Sequence, residues 1–280
     1  MTYRSILVHL DESPRCAARV EIALQLARAH GAHLLGLAPT GLVRLPARVT
    51  PSFNGVPNYL ELAQANLDEH ATALVALFKQ RVQAAGIESF EGRMHQEDSV
   101  RSLVDNARVH DLIVLGQTEP RSSGAALEID ITEQVFIEAG TPVLVVPAAG
   151  SFDEVGGCAV IAWNGSREAA RAVRLAMPLL RKARSVHLLC LERPSDLRHL
   201  SRLQLNDARQ WLARHGVPVQ LHQEPVRMDV GEALLSRACD LAADLIVMGG
   251  YGHSRMAEFL LGGVTRRLLA HMTVPVLISH

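Results

Sequence analysis

Asp111-Leu-Ile-Val-Leu-Gly116 and Asp244-Leu-Ile-Val-Met-Gly249 are one phrase written twice, 133 residues apart (244 minus 111). Pro142-Val-Leu-Val-Val and Pro275-Val-Leu-Ile-Ser recur at the same spacing. Each is a short, unbroken apolar run, the pattern of a strand covered on both faces of a parallel sheet. Nearer the start of each half, Ile6-Leu-Val-His-Leu-Asp11-Glu-Ser13 is matched by Val160-Ile-Ala-Trp-Asn164-Gly-Ser166. Self-similarity on this scale makes the chain two tandem copies of one unit. The spacing there is 153 rather than 133, and the surplus falls at 39–58, where Pro39, Pro46, Pro51, Gly55 and Pro57 read as an extra loop.

Between the repeated runs, short apolar strands alternate with helical patterns, which specifies βαβ units and a parallel sheet. Strands are predicted at 4–10, 33–38, 87–94, 111–116 and 142–147, then near 158–163, 185–191, 217–223, 244–249 and 275–279. Ser13 reads as the N-cap of the first helix, with Pro14 at its first position and Gly31 as its stop. Long helices at 59–85 and 197–215 stop at Gly86 and Gly216. The fold class is therefore α/β: two tandem doubly wound domains of Rossmann-like type, at 1–147 and 158–280, each a five-stranded parallel sheet, with a linker at 148–157. The strands after Pro142 and Pro275 are apolar edges, and such edges need a partner. Pairing them antiparallel would make an intramolecular pseudo-dimer; a homodimer of whole chains is a further expectation.

Composition narrows the function. With 28 basic and 29 acidic residues the net charge is −1, so no nucleic-acid or acidic-membrane partner is expected. Only Lys79 and Lys182 are lysines, and both read as solvated, which excludes a Walker loop and a Schiff-base mechanism. Cys16, Cys158, Cys190 and Cys239 are far apart and sit in apolar runs, so they read as small buried hydrophobes in a reducing cytoplasm. No leader pattern opens the sequence, and no run is long and apolar enough to span a bilayer. The His residues follow no metal-ligand spacing, with His30 and His33 straddling Gly31, so no metal site is expected.

Chemistry is expected beyond the carboxyl ends of the strands. After the fourth strand of half two come Gly249-Gly250-Tyr251-Gly252, then Gly262-Gly263-Val264-Thr265 opening a helix pattern. Glycines let backbone amides approach a polyphosphate, and the helix N-terminus offers unpaired N–H groups. His253, Arg255 and Arg266 add positive charge. Turn glycines are common, and Asp11 and Asn164 serve equally well as helix caps. His253 reads as a loop residue as readily as a phosphate contact, and Trp163 as core or as packing beside an adenine. Ser13 and Ser166 lack the context of a hydrolase nucleophile.

The pattern G-x2-G-x9-G, preceded by Asp244-Leu-Ile-Val-Met-Gly249 and followed by the Pro275 strand, resembles the ATP-binding signature of universal stress proteins. The resemblance covers nearly the whole chain as two tandem domains. It implies non-catalytic binding of ATP or a related adenine nucleotide, ADP or AMP, with no metal beyond nucleotide-bound Mg. The family's nucleoside-contacting acidic residue falls on Asp11 and Asn164, and its phosphate glycines on Gly249, Gly252 and Gly262. Where the family places Ser or Thr this chain has Gly263, so a hydroxyl contact is missing unless Thr265 supplies it. The site implied in half two is Asn164, Leu191, Val226, Met248, Gly249, Gly252, His253, Gly262, Gly263, Val264 and Thr265, with no catalytic residue and at most slow ATP hydrolysis. Half one keeps Gly116 but has Glu119, Ile129 and Asp130 at the places of Gly252, Gly262 and Gly263, with Glu128 and Glu133 beside them. Carboxylates there oppose a triphosphate by more than a helix dipole recovers, typically ~0.3 to 1 kcal/mol. The expected function is a stress-response sensor or scaffold reporting nucleotide state. The alternatives are a tandem scaffold without nucleotide and, from another class, a nucleotide-using transferase.

Overall fold

The computed structural model describes residues 2–41, 56–118, 131–193, 200–250 and 263–280. Half one runs β1 (Ser5–His9), α1 (Cys16–His30), β2 (His33–Pro39), α2 (Val56–Ala84), β3 (Phe90–His95), α3 (Ser99–Ala107), β4 (Leu112–Gly116), α4 (Ile131–Glu138) and β5 (Val143–Val146). Half two repeats it as β6 (Cys158–Ala162), α5 (Arg167–Leu180), β7 (Ser185–Glu192), α6 (Arg202–Arg214), β8 (Gln220–Pro225), α7 (Val230–Asp240), β9 (Leu245–Gly249), α8 (Gly263–His271) and β10 (Val276–Ser279). Pairing within each half is parallel, and the order β3-β2-β1-β4-β5-β10-β9-β6-β7-β8 makes one ten-stranded sheet. The two halves join where β5 and β10 pair antiparallel, Leu144 opposite Leu277. This is the junction expected for two apolar edges, and it leaves outside only β3 and β8, whose residues are all half-buried or exposed.

The continuous apolar strands are buried because helices cover both faces. One core holds Val20, Phe78, Val173 and Leu212 of α1, α2, α5 and α6. The other holds Leu103, Phe136, Leu234 and Leu268 of α3, α4, α7 and α8. The aspartates that open the repeated phrase hold the amino ends of the sheet. Asp111 Oδ2 accepts from the Arg4 and Ser5 amides, and the Asp244 carboxylate from those of Gly156, Gly157 and Cys158.

Three expectations need correction. The third strands begin at Phe90 and Gln220, not at 87 and 217. Ile87 and Val217 instead close the preceding helices: past Gly86 and Gly216, both at positive φ, their amides donate to Val82 and Leu212 carbonyls. An apolar residue following the left-handed glycine is part of that helix stop. Ser13 is not the N-cap of α1, which starts at Cys16 with Arg15 as an uncapped N-cap; Asp11 Oδ1 draws the Ser13 amide and hydroxyl into a turn before the helix. Cys239 is exposed and Cys16 and Cys158 are half-buried, leaving Cys190 as the buried cysteine. The extra loop lies mostly outside the described residues.

Candidate functional site

Strand order reverses between β1 and β4 in half one and between β6 and β9 in half two. The crevice beyond those carboxyl ends is where an open α/β sheet takes ligands. In half two, Asn164, Leu191, Val226, Met248 and Gly249 stand at or just past the ends of four adjacent strands. Asn164 is exposed, Leu191 and Val226 half-buried, and Met248 buried in the core. Asn164 Oδ1 accepts the Ser166 amide at 3.1 Å, and Ser166 caps α5 through the Ala169 amide. The Asn164 amide nitrogen has no partner among the described residues.

Gly249 is required by packing. A Cβ on it would meet the backbone of Glu168 and Ala169, so the first turn of α5 lies directly on the end of β9. Glu168 is 8% exposed there. Burial acts to raise its pKa, but the 2.5 Å bond from Arg167 Nε and further hydrogen bonds prevail and hold it below the ordinary carboxylate value. The end of β9 is thus closed on the side of α5. Helix α8 opens at Gly263, where a Cβ would meet nothing within 4 Å. Val264 follows half-buried, and Thr265 is 4% exposed. Its counterpart Thr132 donates Oγ1 to the Gly116 carbonyl at 2.9 Å, tying helix to strand. Thr265 is thus packed inward and does not replace an exposed hydroxyl at Gly263. Arg266, expected to add charge to the glycine loop, faces Glu133 of half one at 3.3 Å. Gly252, His253, Arg255 and Gly262, with Glu119, Glu128, Ile129 and Asp130, lie outside the described residues.

In half one Asp11, like Asn164, accepts the amide two residues on, but it is fully engaged. Arg19, 2% exposed, reaches from α1 to place a guanidinium nitrogen 2.7 Å from Asp11 Oδ1, while its Nε donates to the His9 carbonyl at 2.7 Å. The same guanidinium lies against Gly116, where it would meet a Cβ. Burial would raise the Asp11 pKa, but Arg19, His9 and Ser13 together hold it below its ordinary value. At the equivalent places half two has Ala162, Asn164 and Ala172 for His9, Asp11 and Arg19. The signal for Arg19 was available in the repeat alignment, as a long cation facing a buried alanine.

Among the described residues, no group of three or more His, Cys, Asp or Glu is placed to hold a metal ion, and no helix is long and apolar enough to cross a membrane.

A sequence model of the universal stress protein family matches residues 2–147 and again 159–280. A universal stress protein of Synechocystis sp. is 26% identical over 226 residues, 78% of this chain and 75% of that protein. Among solved structures, a universal stress protein of Archaeoglobus fulgidus superposes with a TM-score of 0.77 at 19% identity, covering 98% of this chain and 97% of that one. A functionally unknown protein of Pseudomonas aeruginosa gives 0.62 at 17% identity, covering 99% and 92%. At these identities the structural likeness speaks for the fold.

Proposed function

The chain belongs to the universal stress protein family, and from that premise we propose that half two alone binds an adenine nucleotide, ATP or a relative, as a sensor or scaffold without efficient catalysis. The observation that carries this is the contrast between the two strand-end crevices: half one is filled by its own Arg19 and Asp11, whereas half two presents exposed Asn164 between the ends of β6 and β9. The nucleoside would meet Asn164, Leu191 and Val226. The phosphates would meet amides of the glycine run and the start of α8, where the helix dipole favours negative charge. Nothing in this arrangement is assigned as a general base or nucleophile, so hydrolysis is at most slow. The setting that fits is cytoplasmic.

Calorimetric titration with ATP tests this. One site per chain is expected, lost in Gly252→Val and Gly262→Val and kept in Asp11→Ala. Two equivalent sites, or undiminished affinity in Gly262→Val, would refute the placement. The scaffold reading draws on the buried Glu168 carboxylate beside Gly249 and on the engagement of Arg266 with Glu133. It predicts no titration heat, and no nucleotide released on denaturing protein purified without added ligand.

A further inference from the structure

Both tryptophans of the chain, Trp163 and Trp211, line a single groove of about 330 Å³ between α5 and α6, with Ala170, Arg174, Asp207 and Ala208. The groove exists because the two halves resolve one packing problem in opposite ways. In half one, Gly36 of β2 admits the ring of Phe78 from α2, to within 2.7 Å of where a Cβ would stand, and Phe78 is 1% exposed. In half two the matching strand residue is Leu188, as Val8 pairs with Gly36 and Ile161 with Leu188. Counting back from the helix-closing Gly86 and Gly216, the residue matching Phe78 is Ala208. A small residue on the helix leaves the interhelical space unfilled, and the two indoles border it half-buried.

Of the polar residues at this groove, Gln204 is engaged with Ser201 at the start of α6, whereas Arg174 and Asp207 are not so engaged. Arg174 Cζ lies 5.4 Å from the centroid of the Trp211 ring, within cation–π range, and the His215 ring tilts against the same indole at 4.6 Å. Among the described residues neither Arg174 nor Asp207 has a salt-bridge or hydrogen-bond partner. Ala170 and Arg174 are one turn apart on α5, and Asp207, Ala208 and Trp211 share one stripe of α6, so all face the same opening. Indole faces accept a flat ring, a guanidinium edge accepts an anionic group, and a carboxylate accepts ring N–H donors. The volume is that of a small-molecule pocket.

We infer that the α5–α6 groove binds a planar heteroaromatic anion, its ring against Trp163 and Trp211, its anionic group on Arg174 and its ring N–H on Asp207. This does not depend on the nucleotide reading, whose residues Asn164, Leu191 and Val226 do not line the groove, although Trp163 directly precedes Asn164. Both tryptophans lie in the groove, so their emission reports it, and Arg174→Ala, a change in the groove and not at Asn164, separates this signal from that of the nucleotide site. The probe is pterin-6-carboxylate, with pterin lacking the carboxylate as the comparison. Saturable quenching at one site per chain is expected below on the order of 1 mM, roughly tenfold tighter than for pterin. Arg174→Ala should abolish that tenfold preference, and Ala208→Phe, which adds a ring at the groove, should abolish saturation. ATP affinity should be the same in both variants as in the parent protein. The proposal is overturned by absence of saturable quenching, by competition between ATP and the probe, or by a preference that survives Arg174→Ala. That last variant changes an exposed side chain, so it decides the matter even if Ala208→Phe does not fold.

Discussion

The crevices past β1 and β6 open on corresponding residues and have opposite contents. Each strand ends in a turn closed by a side-chain oxygen on the amide two residues on, from Asp11 in one half and Asn164 in the other. Around that turn half one buries an ion pair, while half two has alanines at 162 and 172. Arg19 stands between α1 and Gly116, whereas in half two α5 rests on Gly249 by its backbone. A ligand crevice can thus be filled from within by one long side chain on the adjacent helix, with strand register untouched. The turn itself is scaffold, and what separates the halves is whether the space beyond it is already neutralised and filled.

Removing Arg19 should break this comparison most severely. Arg19→Ala leaves Asp11 as a half-buried carboxylate without its cation; because solvent reaches Asp11, the cost is about 1.5 to 3 kcal/mol, below that of a fully buried pair. Chemical denaturation should show that loss, and Arg19→Ala with Asp11→Asn, which installs the residues of half two, should recover much of it. A loss under ~1 kcal/mol for the single variant would mean the pair is not what fills half one.

Acid should expose the same asymmetry. Burial, then the Arg19 charge, lowers the His9 pKa from 6.5 to about 4, against the pull of Asp11. The folded state therefore keeps His9 neutral while the unfolded chain protonates it. Its contribution is complete above pH 6.5 and is lost as pH falls toward 4, a change of roughly 2 to 3 kcal/mol. Burial depresses His30 in the same way, and the lowered Asp11 adds a further loss at still lower pH. Denaturation at pH 7 and pH 4.5 should show this decline, and His9→Ala, the residue of half two, should flatten it. An unchanged slope would remove His9 from the account.

The two strand-end glycines sharpen the contrast further. In Gly249→Ala the new methyl meets helix backbone, whereas in Gly116→Ala it meets the end of a side chain. The first should cost about 1 to 2 kcal/mol more than the second, visible in Tm. Smallest is Asn164→Ala, which removes one exposed hydrogen bond at about 1 kcal/mol. If it costs as much as Arg19→Ala, the turns are not equivalent.

The fold was legible because its information lies in short apolar runs and helix-stopping glycines, which report burial locally. The strand starts at 87 and 217 were misread because Ile87 and Val217 are apolar for another local reason, the helix stop. The candidate site was legible where residues sit at strand ends, as with Asn164 and Gly249. It was not legible where a side chain's partner is distant in sequence. Arg19 reads as one more arginine until it is seen beside Gly116, and Arg266 reads as phosphate-directed until Glu133 appears opposite. Trp211 and Trp163 are distant in sequence and share a groove only in the folded chain.

The antiparallel junction of β5 with β10 has a consequence for stoichiometry. Two identical chains joined through such an edge would carry two identical crevices, and their union would weaken on dilution. Here each edge strand meets its counterpart within the same molecule, at an effective concentration fixed by the 148–157 linker rather than by expression level. One partner can therefore become a permanently filled, rigid support while the other stays open, without a mixture of matched and mismatched assemblies ever forming.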